Sequence, residues 1–283
     1  MNPENRVSPL ERVKVSPMFR ILPFLMMAFF AGACGSLHPG AHHQPSAATD
    51  SYTEGKKLYD AGDFDGAETA LRSAVAVNAS HVQAHALLGS LYARTDRPQE
   101  AIRELEGVVN LDPANAQAYA DLARLYQAQG MFEEALASAL EAVKLSPGTE
   151  RLYKLLGSVY LDKGDYDSAI RNYEKALELK PDSEWVYNDL GLAYLSAGKL
   201  DDAERQLRKA VAADPQLAVA HNNLGSVLAR KGRLVEALAS FRRAVELDAH
   251  YQKAAQNVSD TEELLKRKAR KKAKTVHTAV DKE

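Results

Sequence analysis

One spacing governs what this chain can fold into. The stretch from Glu150 to Ser183, ERLYKLLGSVYLDKGDYDSAIRNYEKALELKPDS, reads as two short amphipathic helices joined at Gly164-Asp165 and closed by Pro181. A step of 34 residues in either direction brings the same residue types back. Ala67, Ala101, Ala135, Ala169, Ala203 and Ala237 form one register, and Pro113, Pro147, Pro181 and Pro215 another. Leu88, Leu122, Leu156, Leu190 and Leu224 form a third, and Tyr92, Tyr126, Tyr160 and Tyr194 a fourth. A two-helix unit of this size cannot bury its apolar face alone, so each copy must stack on the next.

The pattern Leu-Gly-x-x-Tyr, then Ala, then Pro at this period resembles the tetratricopeptide repeat. The resemblance implies an all-α fold, a right-handed α-solenoid of six helix hairpins with a C-terminal capping helix. Counted from the alanine register, the array over 49–251 divides into units at 48–81, 82–115, 116–149, 150–183, 184–217 and 218–251. The first is atypical, with Glu54 in place of Leu and Ala79 in place of Pro, as an end repeat with one uncovered face should be. Gly55, Gly89, Gly157, Gly191 and Gly225 are expected to let the first helix of a hairpin approach the second, with Ala123 as the small substitute in the third unit. Gly130, Gly164 and Gly198 should supply the positive φ that ends each first helix. Tyr126, Tyr160 and Tyr194 should fill the space between hairpins. Residues 252–275 read as a cap in which Ala254, Ala255 and Val258 cover the last repeat, and 276–283 as a disordered tail.

Charge enters through its distribution. The net charge is −2, but Lys266, Arg267, Lys268, Arg270, Lys271, Lys272 and Lys274 carry seven positive charges with no acid among them, leaving −9 for everything else. That balance argues against a general nucleic-acid partner, which needs basic residues clustered on the fold itself. The basic stretch reads either as a solvated helix end or as a contact to an anionic surface such as lipid headgroups, cell wall or an acidic protein.

The N-terminus reads as an address. Arg12, Lys14 and Arg20 precede the apolar run ILPFLMMAFF over 21–30, followed by Ala31, Gly32, Ala33 and the single cysteine, Cys34. A basic segment, a short apolar segment and small residues describe a secretory signal peptide over 1–33. The apolar run is shorter than the roughly 20 residues a membrane-spanning helix needs. Met18 would open a more typical leader than Met1. A cysteine directly after small residues resembles the bacterial lipobox, with Ala31 where that family usually carries Leu. The resemblance implies a covalent lipid on Cys34 and, with Gly35 next, retention at the periplasmic face of the outer membrane. Residues 34–48 then read as a flexible tether rich in Pro, Gly, Ser and Ala.

No constellation for catalysis or for a cofactor is present: there is no phosphate loop, nucleophile elbow, zinc-protease motif or dinucleotide fingerprint. A metal site is not expected at His38, His42 and His43 of the tether. His81, His85 and His221 are expected on helices as packing residues. The chain is read as a non-enzyme without a small-molecule substrate.

In the tetratricopeptide family the first helices line a concave wall, and certain positions of each unit face the groove. On this sequence they give Arg151, Lys154, Leu155, Ser158, Leu161, Trp185, Asn188, Leu192, Leu195, Asn222, Asn223 and Ser226 as the candidate peptide-binding residues. The leucines beside the lone Trp185 look surplus to packing and would make an apolar patch. The three asparagines would offer a ladder of donors and acceptors to a peptide backbone. Lys154 stands alone, so the chaperone-type carboxylate clamp is not expected. An alternative is that the chain's own C-terminal helix fills the groove over Trp185. The whole layout, a lipidated N-terminus followed by six repeats, resembles the pilotin lipoproteins of type IV pilus systems (the PilF and Tgl type). That resemblance implies a secretin subunit as partner and a role in secretin assembly and motility. Lipoprotein adaptors for cell-wall hydrolases share the layout, and a secreted interaction spacer is the reading without the lipid.

Overall fold

The computed structural model describes residues 47–280, with side chains through residue 271. The leader, Cys34 and the tether as far as residue 46 lie outside the described residues, and the expectations placed on them stay with the sequence.

The described residues form thirteen helices and no strand. Six hairpins follow one another: α1 (Ala47–Ala61) with α2 (Phe64–Val77), α3 (Val82–Arg94) with α4 (Pro98–Leu111), and α5 (Ala116–Ala128) with α6 (Phe132–Leu145). Then come α7 (Glu150–Asp162) with α8 (Tyr166–Leu179), α9 (Glu184–Ser196) with α10 (Leu200–Ala213), and α11 (Ala218–Arg230) with α12 (Leu234–Leu247). The last helix, α13 (Gln252–Val280), packs on α12. It runs on to Val280, which corrects the expected stop at 275 and the tail expected from 276.

Each hairpin is cut by the same device. After α7 the chain enters the left-handed region at Gly164 (φ 79°), with Gly164 N donating to Leu161 O and Asp165 N to Tyr160 O at 3.0 and 2.9 Å. Two orphan carbonyls of the helix end are thereby satisfied. Asp165 then caps α8, its carboxylate accepting from Ser168 N at 3.1 Å. Gly130 and Gly198 take the same φ, as expected, while the second repeat uses Asp96 at φ 57°.

Within a hairpin the glycine register is a steric requirement. A Cβ on Gly191 would lie 2.5 Å from Leu207 Cγ, and one on Gly157 2.9 Å from the Tyr173 ring. The third repeat keeps the fit by a double exchange. Ala123 stands in for glycine, and the position that holds Leu71, Leu105, Tyr173, Leu207 or Phe241 elsewhere holds Ala139; both alanines are buried.

The first helices of neighbouring repeats also touch one another directly, α5 with α7, α7 with α9 and α9 with α11. That wall is therefore the tighter, concave side of the stack. Its outward positions are where a ligand would meet the array.

Candidate functional site

Midway along the concave wall, α5, α7 and α9 leave a depression of about 340 Å3. Arg124 and Gln127 reach it from α5, Arg151, Lys154, Leu155 and Ser158 from α7, and Asp189 from α9. The helical repeat explains the convergence. Residues 151, 154, 155 and 158 share one face of α7, and positions 124 and 158 are one 34-residue repeat apart, so they sit side by side on adjacent helices.

The groups are held in a partly paired state. Arg124 Nη1 donates to Asp121 Oδ1 at 2.7 Å. Gln127 Nε2 donates to Ser158 Oγ at 2.7 Å and to Asp162 Oδ2 at 2.6 Å. Lys154 Nζ lies 3.6 Å from Asp189 Oδ2 and 5.8 Å from the centroid of the Trp185 ring. Burial pushes the Asp189 carboxyl above its ordinary range, and the Lys154 ammonium and the Asn188 amide pull it back only in part. Trp185 itself is 47% exposed beside this cluster, an unusual position for the only tryptophan of the chain.

Arg151, Lys154, Leu155 and Ser158 thus fall together as lining residues, with Trp185 joined to them through Lys154. Other expectations are corrected. Leu155 and Leu195 are buried, and Leu161 and Leu192 are half-buried against core clusters, because consecutive first helices approach closely enough to need side chains between them. The apolar patch therefore reduces to Trp185.

The asparagine ladder is turned inward. Asn222 has no exposed surface, and Asn188 and Asn223 are buried at 3% and 8%. Asn223 Nδ2 donates to Asn188 Oδ1 at 2.9 Å, and Asn257 Nδ2 donates to Asn222 Oδ1 at 2.8 Å. Each bond spans 35 residues, as does the Lys154–Asp189 pair, so a bridge at the same register joins α7 to α9, α9 to α11 and α11 to α13. Buried amides must find partners, and these find one another rather than a ligand. Ser226 Oγ likewise donates within its own helix, to Asn222 O at 3.0 Å.

Lys154 is not alone, since Arg124 and Arg151 share its depression; Asp189 falls at a groove position of its unit, and Arg124 and Gln127 join it without having been singled out by the sequence. The C-terminal helix does not cover Trp185, which stays exposed. The expectation that His81 sits on a helix is also corrected: it is the N-cap of α3, its Nδ1 accepting from Ala84 N at 3.3 Å. His85 bridges Glu104 Oε2 at 2.6 Å and Ala79 O at 3.1 Å.

Tetratricopeptide-repeat family models match residues 52–116 and 188–252, 96–159 and, under the description TPR repeat, 157–198. The chain belongs to the tetratricopeptide-repeat family. Among solved structures it is similar to MamA at 30% identity, over 62% of this chain and 96% of that one, with a TM-score of 0.58. Pseudomonas aeruginosa PilF matches at 20% identity over 76% of this chain and 97% of that one, with a TM-score of 0.62. YrrB, described as a TPR protein with an unusual peptide-binding site, matches at 22% identity over 66% and 96%, with a TM-score of 0.53. The last two likenesses show the fold alone. No curated protein matches by sequence.

A tetratricopeptide array is a scaffold for protein–protein interaction, and such folds are typically not enzymes. Its members bind protein or peptide partners.

Proposed function

We propose that the concave wall holds an extended segment of a protein partner, with an acidic side chain of that segment at Arg124, Arg151 and Lys154 and an apolar one against Trp185. The observation that carries this reading is the exposed Trp185 beside three cations in a single depression. Aromatic and arginine side chains at the centre of a concavity are the usual anchors of binding energy. The cations are only partly neutralised by Asp121 and Asp189, so a carboxylate from outside completes their pairing.

The finer reading joins this scaffold to the N-terminal sequence. The chain acts as a lipoprotein anchored through Cys34 at the periplasmic face of the outer membrane, and assists a secretin subunit in type IV pilus assembly. Support comes from the leader and the single cysteine, from the absence of catalytic motifs in the sequence, and from the likeness in fold to PilF.

Deletion of the gene, followed by gel analysis of secretin multimers, tests it. Loss of multimers, restored by the wild-type gene and not by Trp185→Ala/Arg151→Glu expressed at equal level, is the expected result. Intact multimers in the deletion strain overturn the secretin role. Restoration by the double variant overturns the groove. Labelling with a fatty-acid analogue should mark the wild-type chain and leave Cys34→Ser unmarked.

A further inference from the structure

The last helix is far longer than the surface it covers. At the rise of an α-helix, its 29 residues span about 43 Å, while the 14-residue α12 beneath spans about 21 Å. The first half is fixed to the array. Ala254 is fully buried, Val258 packs against the core around Leu224 and Val227, Asn257 bonds Asn222, and Arg242 donates to Glu262 at 2.7 Å. Every described side chain from Lys266 to Lys271 is exposed.

The sequence of the overhang is patterned. The stripe that docks the helix, Ala254, Val258, Thr261 and Leu265, continues in the same register to Ala269, and the helical period carries it on to Ala273, Val276 and Val280. At 3.6 residues per turn these last positions fall within about 80° of the helix circumference. Lys266 and Lys272 take the two shoulders of the stripe and five further cations the remaining face; the last acid before Val280 is Glu263. A solvated helix end does not need to keep an apolar register once nothing lies beneath it.

We propose that the overhang of α13 is a membrane-surface element that lies along anionic lipid headgroups, with its narrow apolar stripe toward the lipid. The shape of the charge selects the partner. Cations on both shoulders and around the back suit a flat, laterally uniform negative surface, onto which long Lys and Arg stems reach from either side of a shallow stripe. The rest of the chain carries −9, and the described side chains of the overhang, Lys266 to Lys271, are all exposed to solvent. Among the described residues no helix is long and apolar enough to cross a membrane, so the contact is one of lying on, not spanning. The proposal is independent of the groove and of the lipid on Cys34.

A reporter within the overhang tests this in the full chain, whatever the N-terminus does. In the variant Trp185→Phe/Ala269→Trp the only indole sits on the stripe. Its emission should shift to the blue with vesicles containing phosphatidylglycerol and stay unchanged with phosphatidylcholine vesicles. Adding Lys266→Gln, Lys268→Gln, Arg270→Gln and Lys271→Gln should raise the lipid concentration needed for the shift by about five-fold per charge removed. Inorganic phosphate and poly-glutamate, the free-anion and acidic-protein alternatives, should not produce the shift. No shift with the anionic vesicles, an equal shift with both vesicle types, or an equal shift with poly-glutamate would overturn the proposal.

Discussion

The two ends of the array and its middle solve the same packing problem with opposite chemistry. At the interface of the first and second repeats, Glu68 accepts from Arg97 at 2.6 Å, from Tyr92 Oη at 3.0 Å and from Arg72 at 3.5 Å. Four periods later Glu204 accepts from Arg233 at 2.8 Å, Lys231 at 2.6 Å and Arg208 at 2.7 Å. The same position in the three repeats between holds Ile102, Leu136 and Ile170, and the arginine position holds Met131, Asp165 and Lys199. The consensus alanines and glycines do not distinguish these interfaces; this variable pair does. Middle repeats are covered on both sides and can exclude water from an aliphatic contact. End repeats open more readily, and a carboxylate with several cations about it tolerates the water that opening admits.

The largest test transplants the acid. Ile170 is 6% exposed in the middle of the stack, and Ile170→Glu removes its apolar burial and places a carboxylate where the position of Arg97 and Arg233 holds Lys199, already 2.9 Å from Asp167. The expected loss is about 4 kcal/mol in urea unfolding, with the transition splitting into two as the halves uncouple. A loss under about 1 kcal/mol would mean that the middle interface is as permissive as the ends.

Next in size is the converse cut, Glu204→Gln, which leaves three cations facing a neutral amide. Burial raises the Glu204 pKa, but hydrogen bonds from Lys231, Arg208 and Arg233 outweigh it and hold the carboxyl down to about 2, against an ordinary 4.5. A depressed folded-state pKa contributes stability above pH 4.5 that is lost as pH falls toward 2. The variant should therefore cost about 2 kcal/mol at neutral pH and flatten the acid limb of the stability curve. Hydrogen exchange in α10–α12 should rise below pH 4.5 in the wild type before that in α5–α8 does. Uniform exchange across the array would break the distinction between end and middle.

These contrasts also show what the sequence discloses. The repeat count, the helix hairpins and the turn glycines were legible because their residues answer to geometry that is the same in every unit: Gly164 ends a helix, and Gly191 clears Leu207. The concave wall was not. An asparagine facing a ligand and one facing the next helix have the same chemistry, and only the 35-residue link places Asn223 against Asn188. Leu155 and Leu195 looked surplus because the register accounts for packing within a hairpin, whereas the approach of one first helix to the next sets how much of the wall is buried. Arg124 was overlooked for the complementary reason: its value lies in Arg151 and Lys154 from the following repeat, neighbours that no single unit displays. His81 could have been read as a cap from its place immediately before α3.

A smaller effect is expected where the end interface is rebuilt as a middle one. Glu204→Ile with Arg233→Met copies the pair Ile102 and Met131 into the last interface. The Glu204 carboxylate leaves together with Arg233; Lys231 keeps Asp201, and the groups that lose a partner, Glu236 and Arg208, are exposed to water, so the change in stability should stay within about 1 kcal/mol of the wild type. The pH dependence is the sharper readout. The double variant should lose the part of the acid transition that Glu204 contributes while keeping the part from Glu68, whose carboxyl the Arg97 hydrogen bond holds below its usual range. A destabilisation as large as that of Glu204→Gln would show that the end repeats need charge for a reason other than pairing.

The smallest effect belongs to the outermost ion pairs, which resemble the half-buried hubs at Glu68 and Glu204 on paper. Lys199 Nζ is 2.9 Å from Asp167 Oδ1, yet the two side chains are 46% and 70% exposed, against 12% for Glu204. Water and salt screen such a pair, and holding two long side chains in one geometry costs entropy. Lys199→Ala should therefore cost below about 0.5 kcal/mol, and raising the salt concentration should erase even that. The same increase in salt should leave most of the Glu204→Gln penalty in place, because a carboxylate surrounded by three cations and little water is poorly screened. Urea unfolding of both variants at low and high salt separates the cases. A salt-insensitive loss at Lys199 would show that the middle of the array, too, relies on its charges.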